Sequence, residues 1–304
     1  VITKEMIQNE PWFSASRYLE GSAYFQTPRG KLHYYDSHNV NPGLSGLKNT
    51  PSYPTLFLHG TPGWGYEWRH FLDQSLGRLI IPDHLGFGLS DRPDSYVSLT
   101  EHVKHLELLL KNLGISEINL VVHDFGGPIG IKLSLENPNL VKRLVIVNSW
   151  YWPFQDAVKF FGLQRIFFES SLMRFLYRHL GFSARVLTKA AWGKAIPLSK
   201  EEHHGFQRMQ PRNQREGTLS FLRSLTDSDS FYGDYQKDLK SLSQIPILLI
   251  WGKADGVLKE AHLAKWQSIL GDLPAVILSR AGHWPHLEEK ETVTHTISEF
   301  LLDQ

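Results

Sequence analysis

Six short apolar runs constrain this chain more than any other feature: TLFLHG from Thr55, RLIIPD from Arg78, INLVVHD from Ile118, VKRLVIVN from Val141, IPILLIWG from Ile245 and AVILS from Ala275. They are apolar nearly throughout instead of alternating, as strands are when both faces of a parallel sheet are covered. Between the second and third runs lies SLTEHVKHLELLLKNLG, with Ser98 and Glu101 at capping-box spacing. Val103, Leu106, Leu110 and Leu113 form one apolar stripe on this segment, and Gly114 ends it. A helix crossing between two such strands makes them parallel neighbours, so the pattern predicts βαβ units. The Gly/Pro/Asn/Ser cluster from Asn39 to Pro54 reads as a surface loop between strands.

The alternation stops after VKRLVIVN. From about Tyr151 to Lys240 no convincing strand is legible, but aromatic helical stretches are, such as AVKFFGLQRIFFESSLMRFLYRHL, with a second capping-box start at Ser199 and Glu202. The rings of Phe160, Phe161, Phe167, Phe168, Phe175 and Tyr177 are read chiefly as packing of this insertion on the core. The expected organisation is a sheet domain built from 1–150 and 241–304, interrupted by a helical segment over 151–240. A chain of 304 residues suffices for one large domain with such an insertion.

The position of Asp124 points to chemistry. A carboxylate at the end of a buried strand needs a partner or a role. The sequence LVVHDFGG gives a strand, a one-residue turn and a Gly-rich helix start, the pattern of a nucleophile elbow. Capping of the following helix is the structural alternative for Asp124 taken alone. Asp255, just after the strand in IWGKADGVL, and His283, just after the strand in SRAGHWPHLEE, change the balance. A parallel sheet gathers its strand ends on one edge, so Asp124, Asp255 and His283 are expected to converge as nucleophile, acid and base. In HGTPGWGYEWR the backbone N–H of Thr61 is expected to join that of Phe125 as an oxyanion hole. Enzymes with a similar elbow can carry the acid after the strand that here reads VKRLVIVN, but Asn148 at that place is an amide and cannot be the charged partner of a histidine.

Other classes fare worse. Lys plus Arg number 32 and Asp plus Glu 31, so the formal charge of +1 argues neither for nucleic acid nor for a membrane surface. With no cysteine, thiol catalysis and thiolate metal sites are excluded. His283, His286 and Glu288 show no strong ligand spacing, and the GFG at Gly86 to Gly88 lacks the lysine of a phosphate loop. No metal and no cofactor is expected. The N-terminal VITKEMIQNEPWF lacks a signal-peptide pattern, so a cytoplasmic location is the expectation.

HGTPGWGYEWR, PDHLGFGLSDRP, LVVHDFGGPIG, WGKAD and AGHWPHLEE, in that order, resemble the aspartate-nucleophile branch of the α/β-hydrolase superfamily. That branch includes haloalkane dehalogenases, epoxide hydrolases and β-lactone-opening relatives. The resemblance implies an α/β-hydrolase fold, with a mostly parallel sheet flanked by helices and a helical cap inserted after the sixth strand. It implies a hydrolase that forms a covalent ester on Asp124, acting with water on a small apolar organic substrate. Dehalogenases of this group hold the departing halide with side-chain N–H donors, one directly after the nucleophile. Here Phe125 and Thr61 occupy the two matching positions. Trp150, Trp152 and Trp192 are candidates to replace the missing donors, and Tyr177, Tyr232 and Tyr235 are candidates to protonate a departing oxygen as in epoxide hydrolases. Asp at the elbow disfavours a serine esterase, and a complete triad disfavours a silent ligand-binding homologue.

Overall fold

The computed structural model describes residues 2–302 except 15, 45–49, 75, 157–165, 167–168, 213 and 228. Eight strands form one sheet: β1 (Ser22–Thr27), β2 (Gly30–Asp36), β3 (Thr55–Leu58), β4 (Leu79–Pro82), β5 (Ile118–Asp124), β6 (Val141–Ser149), β7 (Ile247–Gly252) and β8 (Ala275–Leu278). Their spatial order is β1-β2-β4-β3-β5-β6-β7-β8. The six apolar runs are the six strands β3 to β8, all paired in parallel. The edge hairpin β1–β2 joins them antiparallel through β4.

Burial explains the continuous apolarity. Leu56, Leu58, Leu120, Val122, Leu144, Ile146 and Leu249 pack into a core on one face of the sheet, and Phe57, Val121, Val145, Val147, Leu248 and Ile250 into a core on the other. Successive strand residues point to opposite faces, so a sheet covered on both sides needs apolar residues at every position.

The longer helices are labelled α1 (Leu99–Asn112), α2 (Gly126–Glu136), α3 (Lys200–Arg208), α4 (Glu216–Asp227), α5 (Tyr235–Lys240), α6 (Glu260–Leu270) and α7 (Lys290–Leu302). Helix α1 starts at the expected capping box of Ser98 and Glu101 and buries Val103, Leu106 and Leu110. It is followed by Gly114 at φ 67°, a left-handed conformation suited to glycine. At α3 the expectation is half met. Ser199 accepts from the Glu202 N–H, but the Glu202 carboxylate binds Arg69 at 2.5 Å instead of returning to the cap. That ion pair ties the insertion to the segment after β3.

Among the described residues between β6 and β7 there is no strand. Phe160, Phe161, Phe167 and Phe168 lie outside the described residues, as does part of the Asn39 to Pro54 loop. Phe175 departs from the packing expectation, being 51 % exposed, whereas Tyr177 is buried. Among the described residues no helix is long and apolar enough to cross a membrane.

Candidate active site

Strand β5 ends in a residue with unusual backbone. Asp124 has φ 49°, in the left-handed region that a non-glycine residue rarely adopts. The β5–β6 register also shifts between His123 and Asp124. This turns the side chain out at the carboxyl edge of the sheet while α2 begins two residues later. The flanking glycines permit it: a Cβ on Gly126 would overlap the Leu58 carbonyl, and one on Gly127 the Ser149 hydroxyl. The Ser149 hydroxyl donates to the Asp124 carbonyl at 2.6 Å and fixes the turn.

Asp124, Asp255 and His283 converge as expected. His283 Nε2 lies 3.3 Å from Asp124 Oδ2, and His283 Nδ1 lies 2.7 Å from Asp255 Oδ2. All three are buried. The remaining positions of Asp255 are taken by donors: Val257 and Leu258 give their N–H groups to Oδ1 at 2.7 and 3.1 Å, and Asn148 Nδ2 donates to Oδ2 at 2.8 Å. Asn148 is therefore a support of Asp255. It has φ 33° and also accepts the Gly252 N–H at 2.7 Å, clamping the ends of β6 and β7 together.

Burial alone would raise both carboxyl groups. For Asp124 it is outweighed by the hydrogen bond and charge of His283, then by His123 and the Thr61 N–H, which leave it below its ordinary value. Asp255 is lowered in the same way, by His283, then the Val257 N–H and Asn148. Burial works against a charged His283, but the Asp255 carboxylate and the hydrogen bonds to both carboxylates prevail and push it well above its ordinary value. These directions all favour the charged forms, a protonated His283 between two carboxylates.

The Thr61 N–H donates to Asp124 Oδ1 at 2.8 Å. Phe125, at the start of α2, makes no hydrogen bond to that carboxylate, and its ring stacks on Phe221 at 4.5 Å. Gly60 must lack a Cβ, which would overlap Asp124 Oδ1.

A cavity of about 480 Å³ opens over Asp124 and His283, walled by Thr61, Phe125, Phe154, Tyr177, Leu222, Leu225, His262 and Trp284 among others. Its size suits a small organic molecule. Of the pocket candidates expected from the sequence, Tyr177 lies on this wall. Trp150, Trp152 and Trp192 are not on it, which corrects the expectation. The Trp150 N–H donates to the Tyr232 hydroxyl at 3.1 Å, and the Trp192 N–H to the Ile196 carbonyl at 2.9 Å. Trp152 packs on Trp266 at 4.9 Å, behind His262. Tyr235 is also committed, its hydroxyl donating to Asp156 at 2.7 Å. Burial, then the Asp124 charge, raises the Tyr177 hydroxyl, which keeps it protonated.

Sequence reasoning passed over Phe154, Leu222, Leu225, His262 and Trp284. Only Trp284 carried a signal, by standing next to His283. The insertion meets this loop directly: the His283 N–H donates to the Ala191 carbonyl at 2.9 Å, and Glu288 accepts from Gly193 and Gly282 at 2.8 and 2.9 Å. Burial, against these N–H donors, raises Glu288 to about 7.

Residues 53–290 match the family model described as alpha/beta hydrolase fold. The chain is 30 % identical to a cis-3-alkyl-4-alkyloxetan-2-one decarboxylase of Shewanella oneidensis, over 90 % of this chain and 86 % of that one. It is 25 % identical to haloalkane dehalogenase 2 of Mycobacterium tuberculosis, over 91 % and 94 %. Among solved structures, the haloalkane dehalogenase DbeA of Bradyrhizobium elkani superposes with a TM-score of 0.77 at 21 % identity, over 92 % of this chain and 97 % of that one.

Proposed function

Because the chain belongs to the α/β-hydrolase fold family, as a hydrolase of its haloalkane dehalogenase-like group, we propose that Asp124 is a covalent nucleophile. The observation that carries this reading is the left-handed Asp124, with His283 Nε2 3.3 Å from one carboxylate oxygen and the Thr61 N–H 2.8 Å from the other. A carboxylate held below its ordinary pKa is ionised at neutral pH and attacks an sp³ carbon without a base. The new C–O bond forms as the leaving group departs with its electron pair.

Esterification removes the Asp124 charge. His283 then loses one of its two anionic neighbours and more readily releases a proton to solvent. The neutral imidazole, oriented by Asp255, takes a proton from water as its oxygen attacks the ester carbonyl. Thr61 N–H, already 2.8 Å from Oδ1, stabilises the oxyanion that develops there, and Phe125 N–H is the second proposed donor. Collapse of that intermediate releases the alcohol and restores Asp124. The helical insertion, 151–240, acts as a cap that contributes Tyr177 and Leu222 to the cavity wall.

A second reading concerns the leaving group. Neither Thr61 nor Phe125 offers a side-chain N–H, and the Trp150 and Trp192 N–H groups are spent elsewhere, which leaves the unpartnered Trp284 N–H as the single indole donor among the residues of the cavity wall. This favours a departing oxygen over chloride. In a four-membered lactone, attack of Asp124 at the sp³ ring carbon bearing oxygen breaks that C–O bond and leaves a carboxylate, which needs no halide cradle; loss of carbon dioxide from this carboxylate then forms the alkene as the ester C–O bond breaks, restoring Asp124 without water. The relative named as an oxetanone decarboxylase supports this substrate class. In an epoxide the opening oxygen would instead take a proton from Tyr177.

The test is an activity panel of a bromoalkane, a terminal epoxide and a dialkyl β-lactone, scored for halide, diol, and alkene with carbon dioxide. At least one should turn over with wild type and none with Asp124→Ala. Undiminished turnover by the alanine variant removes Asp124 as nucleophile.

A further inference from the structure

Next to the elbow in sequence, but not on the cavity wall, lies a second group of side chains that the proposed reaction does not use. The turn Gly65–Phe71 supplies Glu67, β5 supplies His123, and the turn Pro285–Glu288 supplies His286. Their exposures are 3 %, 1 % and 1 %, so water does not solvate them. Glu67 Oε1 lies 2.9 Å from His123 Nδ1 and 3.6 Å from His286 Nε2. One donor atom from each residue lies within 4.8 Å of the other two.

Hydrogen bonding leaves this group incomplete. His123 Nε2 faces the His283 carbonyl at 2.8 Å and must donate to it, so Nδ1 is the nitrogen turned to Glu67. Glu67 Oε2 and both ring nitrogens of His286 have no hydrogen-bond partner. Buried polar atoms of this kind call for an explanation. His286 is held in place by stacking on Trp68 at 4.3 Å.

We propose that Glu67, His123 and His286 bind a divalent first-row transition-metal ion, with zinc as the best-fitting occupant. Two imidazoles and one carboxylate suit zinc and are too poor in oxygen for calcium or magnesium. A His123 that ligates through Nδ1 and donates Nε2–H to a backbone carbonyl has the outer-shell arrangement common to histidine ligands. Gly63 leaves room for the carboxylate, since a Cβ there would overlap Glu67 Oε2. Glu67 and His286 are not on the wall of the large cavity, so the ion braces and does not react. It would fix His123 beside Asp124 and, through the His283 carbonyl, the loop carrying His283. Only this bracing role rests on the proposed function; metal binding does not.

The test strips the full chain with chelator, reloads it with zinc and measures bound metal by mass spectrometry alongside zinc affinity and thermal midpoint. Wild type should retain about one zinc per chain and melt at higher temperature with zinc than without. Glu67→Gln and His286→Asn should each weaken zinc binding about tenfold or more, with circular dichroism unchanged. Wild type that takes up no zinc at micromolar free metal overturns the proposal. So do two folded variants with wild-type affinity, which would assign the metal to exposed histidines. If neither variant folds, X-ray absorption of zinc-loaded wild type decides: two imidazoles with oxygen support the site, and fewer than two refute it.

Discussion

Replacing Asp255 by asparagine separates the two proposed chemical steps. Each contact of the Asp255 carboxylate is with a donor: His283 Nδ1 and Asn148 Nδ2 at one oxygen, Val257 and Leu258 N–H at the other. An asparagine has one carbonyl oxygen, so its NH₂ must face one of these pairs. If the oxygen stays with Val257 and Leu258, the NH₂ meets His283 and forces Nδ1 to accept. The proton then resides on Nε2, and the ring can no longer take one from water. The same geometry leaves the Asn148 N–H facing another donor, at a cost of about 1 to 3 kcal/mol. In a serine triad the corresponding change lowers turnover about 10⁴-fold, equivalent to about 5 kcal/mol of barrier. We predict a comparable loss confined to ester hydrolysis, with ester formation slowed less than about tenfold because an ionised Asp124 needs no base. Rapid-quench intact-mass measurements resolve the two rates. Equal slowing of both steps, or hydrolysis within about tenfold of wild type, refutes the assignment of Asp255.

The leaving-group reading predicts that wild type handles chloroalkanes poorly relative to iodoalkanes. Thr61→Asn with Phe125→Trp should raise the chloride-to-iodide ratio, although indole against Phe221 and Trp150 risks overpacking of about 1 to 3 kcal/mol; an unchanged ratio in a folded double variant refutes it. Stability should fall with acid. His70 and His262, lowered by burial to about 3 and about 4, stay neutral in the folded chain but titrate near their ordinary value when unfolded. The unfolded chain therefore binds more protons below about pH 6.5, costing about 1 kcal/mol for each residue between pH 6.5 and 5.5. His84, His102 and His286 act in the same direction and His283 in the opposite one. Glu288, raised to about 7, also opposes the loss, because the folded chain takes its proton first and gains stability as pH falls from 7. Urea midpoints should thus drop from pH 7 to 5.5, and more steeply in Glu288→Gln; a slope shallower than wild type in that variant contradicts the Glu288 assignment.

The parallel strands were legible because burial on both faces leaves no polar alternation to confuse the signal, and their shared edge made the meeting of Asp124, Asp255 and His283 predictable. The β1–β2 hairpin stands outside the six apolar runs, since SAYFQT and GKLHYYD mix polar and apolar residues. Pocket residues were harder. Whether an indole N–H faces substrate depends on which acceptor packs beside it, and Tyr232 and the Ile196 carbonyl claim two of the three tryptophans named from sequence. From sequence Asn148 reads only as a residue unfit to be the acid, although its amide is what a buried Asp255 needs as a donor. Glu67, His123 and His286 share no spacing motif. They meet only because a turn after β3, the end of β5 and a turn after β8 stack at one place.

The covalent ester on Asp124 is the centre of the account, and His283→Gln exposes it. That variant keeps the nucleophile but lacks the base, so a haloalkane or epoxide substrate, whose ester is released by water, should accumulate as an adduct. Intact-mass analysis after substrate addition, followed by peptide mapping, should find the added substrate mass on the peptide containing Asp124, approaching one equivalent per chain. Normal multiple turnover by His283→Gln, or an adduct on any other residue, contradicts the account.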